Sequence, residues 1–279
     1  MPGSYFTRTA ETSDTGRYLA GSHTAGPWAE HLQHGGPPNA LAVVAAERAM
    51  RAATGRDDLL AMRLAADFVG PVPVGEVETR AQVLRAARSA ALVEVVITAQ
   101  DRDCLRARVW FVRVADTSGA STDDGVVVPA LPAERGVLGM EFGYGASIDW
   151  RFTSGSFTEP GPAGVWAAPT VALISDDGDA AADPAGGFGT GTSGLARVAL
   201  VADSASGVSS ELDWARWSFP NVDLDIHLAR PMAGSWVHMQ ARTTVGPFGT
   251  ALAHSTLSDR DGPVGAGLQT LVVSPMPTR

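Results

Sequence analysis

The chain has 279 residues, 45% of them hydrophobic and 18% charged, a balance that fits a folded globular protein and excludes general disorder. Its net charge is −9 and every basic residue is Arg, so no polybasic surface exists to neutralise a phosphate backbone, and nucleic acid is not an expected partner. The single cysteine, Cys104, rules out an internal disulfide and a multi-cysteine metal site; its apolar run Cys104–Val114 points to a buried thiol.

The first residues, Met1 to Ala10, lack the apolar stretch of a secretory signal, and no apolar run is long enough to span a bilayer. The expectation is a cytoplasmic protein with no membrane partner. The first strong element is a helix over Pro37–Thr54, where Leu41, Val44, Ala45, Ala49 and Met50 recur near helical spacing. It starts from Gly35-Gly36-Pro37-Pro38 and stops at Gly55. Rich in Ala and nearly free of charge before Glu47, it suits a helix surrounded by sheet. Four strand-like runs follow, Met62–Val69, Val77–Ala86, Ala91–Gln100 and Leu105–Val114, separated by turn residues.

Ala115 to Glu141, rich in Ser, Thr, Asp, Gly and Pro, reads as a linker, and the Asp- and Gly-rich Ser175–Thr192 as a mobile loop. The opening pattern then returns. A helix over Thr192–Ser206, with Thr192 or Ser193 as cap and Gly207 as stop, precedes strand-like runs at Val222–Leu228, Trp236–Val245, Thr250–Ser258 and Val264–Val273. Asp67-Phe68-Val69-Gly70-Pro71 overlays His227-Leu228-Ala229-Arg230-Pro231 at an offset of 160 residues, and the two Asp-Arg-Asp turns at 101 and 259 suggest a slip to 158. The order of elements indicates an internal duplication. The expected fold is α+β: a double hotdog, two antiparallel sheets each wrapped around a long central helix. Residues 1–116 would form the N-terminal hotdog, 117–141 the linker and 142–279 the C-terminal hotdog.

Several reaction signatures are missing. There is no Gly-x-Ser-x-Gly nucleophile turn, no Gly-x-x-x-x-Gly-Lys phosphate loop, and no His-x-x-x-His or paired Cys for zinc. Chemistry without metal or cofactor is the expectation. The Asp-x-Asn-Pro-x-His helix start of hotdog hydratases is also absent, so His34 is expected to shape the turn or contact substrate rather than act as a base.

His34-Gly35-Gly36 before the first helix, Asp67-Phe68-x-x-Pro71-Val72-Pro73 after it, and Ile148-Asp149-Trp150-Arg151-Phe152 resemble the bacterial acyl-CoA thioesterase II family. So does a C-terminal block: Asn221-x-Asp223 through Leu228-Ala229-Arg230-Pro231, then Arg242-Thr243-Thr244 and Gly267-Leu268-Gln269-Thr270. The resemblance implies an acyl-CoA substrate hydrolysed by water held between an Asp, a Thr or Ser, and a Gln, matched here to Asp223, Thr244 and Gln269. A carboxylate suits proton acceptance, and a hydroxyl and an amide suit orientation of the water. His34, Gly35, Gly36 and Asn39 become candidate substrate-binding residues, with the main-chain N–H groups of Gly36, Asn39 and Ala40 as donors to the developing oxyanion.

The residues taken alone allow blander readings: a half-solvated strand for Asp223, a β-former for Thr244, a satisfied amide for Gln269. Asp149-Trp150-Arg151-Phe152 and Trp214-Ala215-Arg216-Trp217 likewise read as strand and core before they read as an Arg-aromatic contact for adenine or phosphate. The alternatives to hydrolysis are a binding protein for acyl-CoA or lipid without turnover and an acyl-transfer enzyme; a homo-oligomer paired through sheet edges is a further expectation. One working site per chain is expected, because the repeat offsets place Arg63, Leu84 and Phe111 where the C-terminal half has Asp223, Thr244 and Gln269.

Overall fold

A computed structural model describes residues 3–122, 125–176 and 193–276. Most of the predicted loop Ser175–Thr192 and the candidate cap Thr192 lie outside these residues. The chain opens with strands β1 (Ser4–Glu11) and β2 (Thr15–Ala20), which carry no clear apolar alternation and were not expected from the sequence. Helix α1 (Gly36–Thr54) follows, with prolines in its first turn and Gly55 in the left-handed conformation at its C-cap, φ 62°. The meander is β3 (Leu59–Phe68), β4 (Gly75–Ala86), β5 (Ala90–Ala99) and β6 (Arg102–Arg113). Alternation is cleanest in β5, where Ala91, Val93, Val95, Ile97 and Ala99 are buried.

The second half begins with one helical turn, α2 (Gly143–Ala146), and strands β7 (Ile148–Ser156), β8 (Glu159–Pro169) and β9 (Ala172–Asp176). Helix α3 (Gly194–Ala202) is capped by Ser193, whose Oγ accepts the Ala196 N–H at 3.2 Å. Here the structure departs from the predicted continuous helix. The chain breaks at Asp203-Ser204 before a last turn, α4 (Ala205–Val208). Strands β10 (Trp217–Ser218), β11 (Asp223–Leu228), β12 (Val237–Val245), β13 (Thr250–Asp259), β14 (Gly262–Val272) and β15 (Ser274–Pro275) complete the chain.

All but β10 and β15 belong to one 13-stranded sheet, ordered β7-β8-β12-β13-β14-β11-β3-β6-β5-β4-β2-β1-β9. The two separate sheets expected from the sequence are thus halves of one. They join where β11 pairs antiparallel with β3, and the residues 160 positions apart, Ala65 and Asp225, face each other there. The same offset runs through both meanders up to a bulge at Val83/Arg85 on β4 that β12 lacks. Val83↔Val93↔Val109 on β4, β5 and β6 matches Thr243↔Ala253↔Gln269 on β12, β13 and β14, and the bulge at Ile97/Thr98 recurs at Leu257/Ser258. The slip to 158 suggested by the Asp-Arg-Asp turns does not occur, since both hairpins keep the same length: Ala99↔Arg102 corresponds to Asp259↔Gly262.

Helix α1 packs against α3 and against β4 and β5. Its residues from Gly36 to Val43 are all buried, which the small Ala side chains permit. The predicted linker spans irregular chain between β6 and α2, yet its end is pinned to the C-terminal half. Gly136 donates to the Trp150 carbonyl at 2.7 Å, and Arg135 pairs with the buried Asp149 at 3.1 Å. No helix of the described residues is long and apolar enough to cross a membrane.

Candidate functional site

The break between α3 and α4 puts a carboxylate inside the protein. Asp203 is the C-cap of α3, and its side chain is 2% exposed. A negative charge there opposes the dipole of α3, but the positive end of α1 lies alongside it. The approach depends on glycine: a Cβ at Gly35 would stand 2.7 Å from Asp203 Oδ2, and one at Gly36 would collide with the Leu200 carbonyl. This is the physical reason for the Gly-Gly pair ahead of α1.

Three other side chains converge on Asp203, and a fourth backs one of them. Asn221 Nδ2 donates to Oδ1 at 2.9 Å and also to the Asp223 carbonyl at 3.0 Å. Gln269 Nε2 donates to the Asp203 carbonyl at 3.0 Å and lies 3.3 Å from Oδ1, while Gln269 Oε1 accepts the Ser206 N–H. His34 Nδ1 is 3.1 Å from Oδ2. In the neutral ring Nδ1, also 3.1 Å from the Gly36 N, can serve only one of these neighbours, donating to Asp203 when it carries the proton or accepting from Gly36 when it does not. Burial pushes the His34 pKa below the ordinary value, against the opposing pull of Asp203, which favours that neutral ring. Tyr144 stacks on the imidazole, with centroids 3.8 Å apart and planes 6° apart. The Tyr144 hydroxyl is fixed by the Leu200 carbonyl at 2.7 Å and Ser204 Oγ at 2.9 Å, and burial raises its pKa well above the usual phenol value.

Two cavities meet at this cluster. One, of about 590 Å³, is bordered by Gln33, Gly35, Phe68, Asp203 and Asn221; the other, of about 430 Å³, by Phe142, Tyr144, Trp150, Phe157 and Ser204. His34, Gly207 and Trp214 border both. A thioester-sized group at the junction would meet the carboxylate and the start of α1 together, since the two pack against one another. Among the described residues no three His, Cys, Asp or Glu side chains converge as metal ligands would.

Of the residues singled out from the sequence, Gln269, His34 and Gly35 are at this cluster. Asp223 and Thr244 are not. The Asp223 carboxylate turns to β14, where Oδ2 accepts the Thr270 hydroxyl at 3.0 Å, and only its main-chain carbonyl touches Asn221. Thr244 is on the exposed face of β12; its neighbour Thr243 points inward and bonds Ser209 Oγ at 2.9 Å. Period-2 alternation separates the two threonines. The proposed oxyanion donors are used within α1: the Gly36 N–H bonds His34 and the Asn39 N–H bonds the Gly35 carbonyl at 3.2 Å. The Asn39 side chain is wholly buried in the first turn, and Ala40 is buried beside it.

Sequence reasoning missed Asp203, Asn221 and Tyr144. The usable signal was Asp203 itself, a carboxylate ending the apolar run Val198–Ala202.

Residues 122–273 match the profile of the acyl-CoA thioesterase C-terminal domain, and residues 24–112 that of the acyl-CoA thioesterase N-terminal domain. No curated protein matches the sequence significantly. Among solved structures, the chain resembles a protein provisionally assigned as a thioesterase II from Thermobifida fusca, with TM-score 0.71 and 18% identity over 98% of this chain and 96% of that one. It also resembles a protein of unknown function with a hot dog fold from Alicyclobacillus acidocaldarius, with TM-score 0.69 and 14% identity over 97% and 96%. A third is the acyl-CoA thioesterase II TesB2 from Mycobacterium marinum, with TM-score 0.67 and 14% identity over 98% and 96%.

Proposed function

The chain belongs to the acyl-CoA thioesterase family, and from that premise we propose that it is a double hotdog enzyme hydrolysing acyl-CoA to free acid and CoA, with Asp203 as the base. The observation that carries this reading is the buried Asp203 carboxylate, anchored on Oδ1 by Asn221 and Gln269 and bordering a cavity beside Oδ2 and His34.

Each group has a chemical part. Asp203 takes a proton from a water as that water attacks the thioester carbonyl carbon; collapse of the adduct breaks the C–S bond, and the proton passes from Asp203 to the departing CoA thiolate. Asn221 and Gln269 fix the carboxylate so that one geometry is presented, and Gln269 ties it to the start of α4 through Ser206. The positive end of α1 at Gly35 stabilises charge developing on the carbonyl oxygen. Neutral His34, held flat by Tyr144, closes the other side of the junction without placing a second charge there. The site needs both halves of the chain: His34 and Gly35 from the N-terminal hotdog, Asp203, Asn221 and Gln269 from the C-terminal one. On this reading residues 1–116 and 142–279 are the two hotdogs, and 117–141 joins them.

A panel of acyl-CoA esters assayed for release of free thiol, with wild type beside Asp203→Asn, tests the proposal. Turnover of at least one ester by wild type and its loss in the variant is the expected result. Binding of esters without turnover by wild type would instead identify a carrier.

A further inference from the structure

The two cavities differ in chemistry. The smaller has Leu138, Met140, Phe142, Trp150 and Phe157 on its walls, with Tyr144 toward the site, and is also bordered by Thr158, Glu159, Ser204, Ser210 and Asp213. Its rings are set edge to face: Trp150 and Phe157 at 5.2 Å and 87°, Tyr144 and Trp150 at 6.3 Å and 68°. Such an array offers an inserted ring both faces and edges, a contact worth about 0.5–1.5 kcal/mol beyond area alone.

The larger cavity mixes rings with polar groups, among them Gln33, Ser206, Ser218 and Asn221. Gln33 is the telling one. Its Nε2 donates to the Pro73 carbonyl at 2.8 Å, but its Oε1 is buried with no hydrogen-bond partner, an acceptor suited to an amide N–H. The pantetheine arm of CoA is a chain of amides; an acyl group usually has none.

Building on the hydrolase reading above, we propose that the smaller cavity is the acyl subsite and is shaped for an aryl-bearing acyl group, while the thiol arm lies in the larger cavity against Gln33. Leu138 and Met140 are specificity-determining residues. They come from the segment joining the two halves, which is fixed in place by bonds from Gly136 to Trp150 and from Trp166 Nε1 to the Pro129 carbonyl, 2.7 and 2.9 Å. The acyl group therefore lies outside the space between α1 and the sheet, which the alanines of α1 already fill.

The test compares kcat/KM for phenylacetyl-CoA and for the straight-chain ester of equal carbon number in wild type, Met140→Trp, Phe157→Leu and Gln33→Leu. Met140 is 41% exposed, so its variant does not depend on repacking the core. Wild type is expected to favour the aryl ester. Phe157→Leu should shrink that ratio roughly two- to ten-fold, and Met140→Trp should lower the aryl ester most. Gln33→Leu should raise KM for both esters alike and weaken inhibition by free CoA. Ratios unmoved by Met140→Trp and Phe157→Leu, or moved by Gln33→Leu instead, overturn the assignment. If no thioester is cleaved at all, calorimetric titration with phenylacetyl-CoA still decides: weaker binding to Met140→Trp than to wild type keeps the cavity assignment while the hydrolase reading falls, and equal or no binding removes both.

Discussion

The two meanders share strand order, register and even the position of a bulge, yet only one surrounds a polar cluster. At the common offset of 160, Asn221 corresponds to Ala61 and Gln269 to Val109, both buried apolar residues of the N-terminal half. Asp203 corresponds to the middle of α1 near Val43, where the helix runs unbroken for 19 residues and Val43 is fully buried. The N-terminal half keeps the helix straight and fills the space with Ala and Val. The C-terminal half interrupts it and spends the break on a carboxylate with three polar neighbours. Closely similar backbone pairing therefore supports either a packed core or a buried polar cluster, and the difference lies in three side chains and one helix break. Arg63 and Leu84 remain the counterparts of Asp223 and Thr244 at this offset, and only Phe111, drawn from the slip to 158, gives way to Val109 as the counterpart of Gln269.

The largest effect expected from breaking this contrast is Asp203→Asn, which removes the proton acceptor and keeps the shape. Thiol-release assays should show kcat lowered by about 100-fold or more, with acyl-CoA still bound. Calorimetry on that variant should count one acyl-CoA per chain; two equal sites would erase the difference between the halves. Gln269→Ala should come next, with a loss of roughly 10- to 100-fold in kcat, since it frees Asp203 and unties Ser206. The reverse experiment installs polarity in the quiet half. Val109→Gln leaves an amide unpaired in an apolar core and should cost about 1–3 kcal/mol in urea denaturation while leaving thiol release intact.

Asp223→Asn and Thr244→Ala sharpen the comparison from the other side. Both residues were drawn from the C-terminal strands by family resemblance, and both should retain kcat within a few-fold, because neither side chain reaches the cluster. The contrast between these and Asp203 shows what the sequence could convey. Helix α1 and all eight meander strands were readable to within a few residues, since alternation and turn residues report local structure directly. Gln269, like Asp223 and Thr244, was matched through the family resemblance, and of the three only it reaches the cluster. Asp203 was not readable, because its importance comes from a break inside an apolar helix and from α1 arriving beside it, a meeting of segments nearly 170 residues apart. Strands β1, β2 and β8 were missed for a related reason: β8 is buried on both sides over Ala163–Pro169 and β1 shows no alternation, so neither displays a two-faced pattern.

The smallest expected effect concerns acid. On β12 the C-terminal half buries His238 against Trp166 and Thr153 Oγ1, where its counterpart on β4 is Glu78. Burial pushes the His238 pKa down to about 4. With the folded value below the unfolded one, the unfolded chain takes up the proton first. Stability from this residue is present above about pH 6.5 and is lost progressively as pH falls toward 4. Urea midpoints measured across that range should fall less steeply in His238→Gln than in wild type.

The antiparallel contact of β11 with β3 is centred on Ala65 and Asp225, and its symmetry has a consequence for anyone who cuts the chain. A C-terminal fragment beginning near residue 142 would leave β11 as a bare edge whose hydrogen-bonding groups are arranged to meet a copy of the strand lying opposite. Two fragments could close over one another along that edge, Asp225 against Asp225, and hide what β3 now covers. Such a pair would carry Asp203 twice and His34 not at all. Fusion thus did more than tether two similar units: it made the partner across the edge a different one, and so let one unit lend a glycine turn while the other kept the acid.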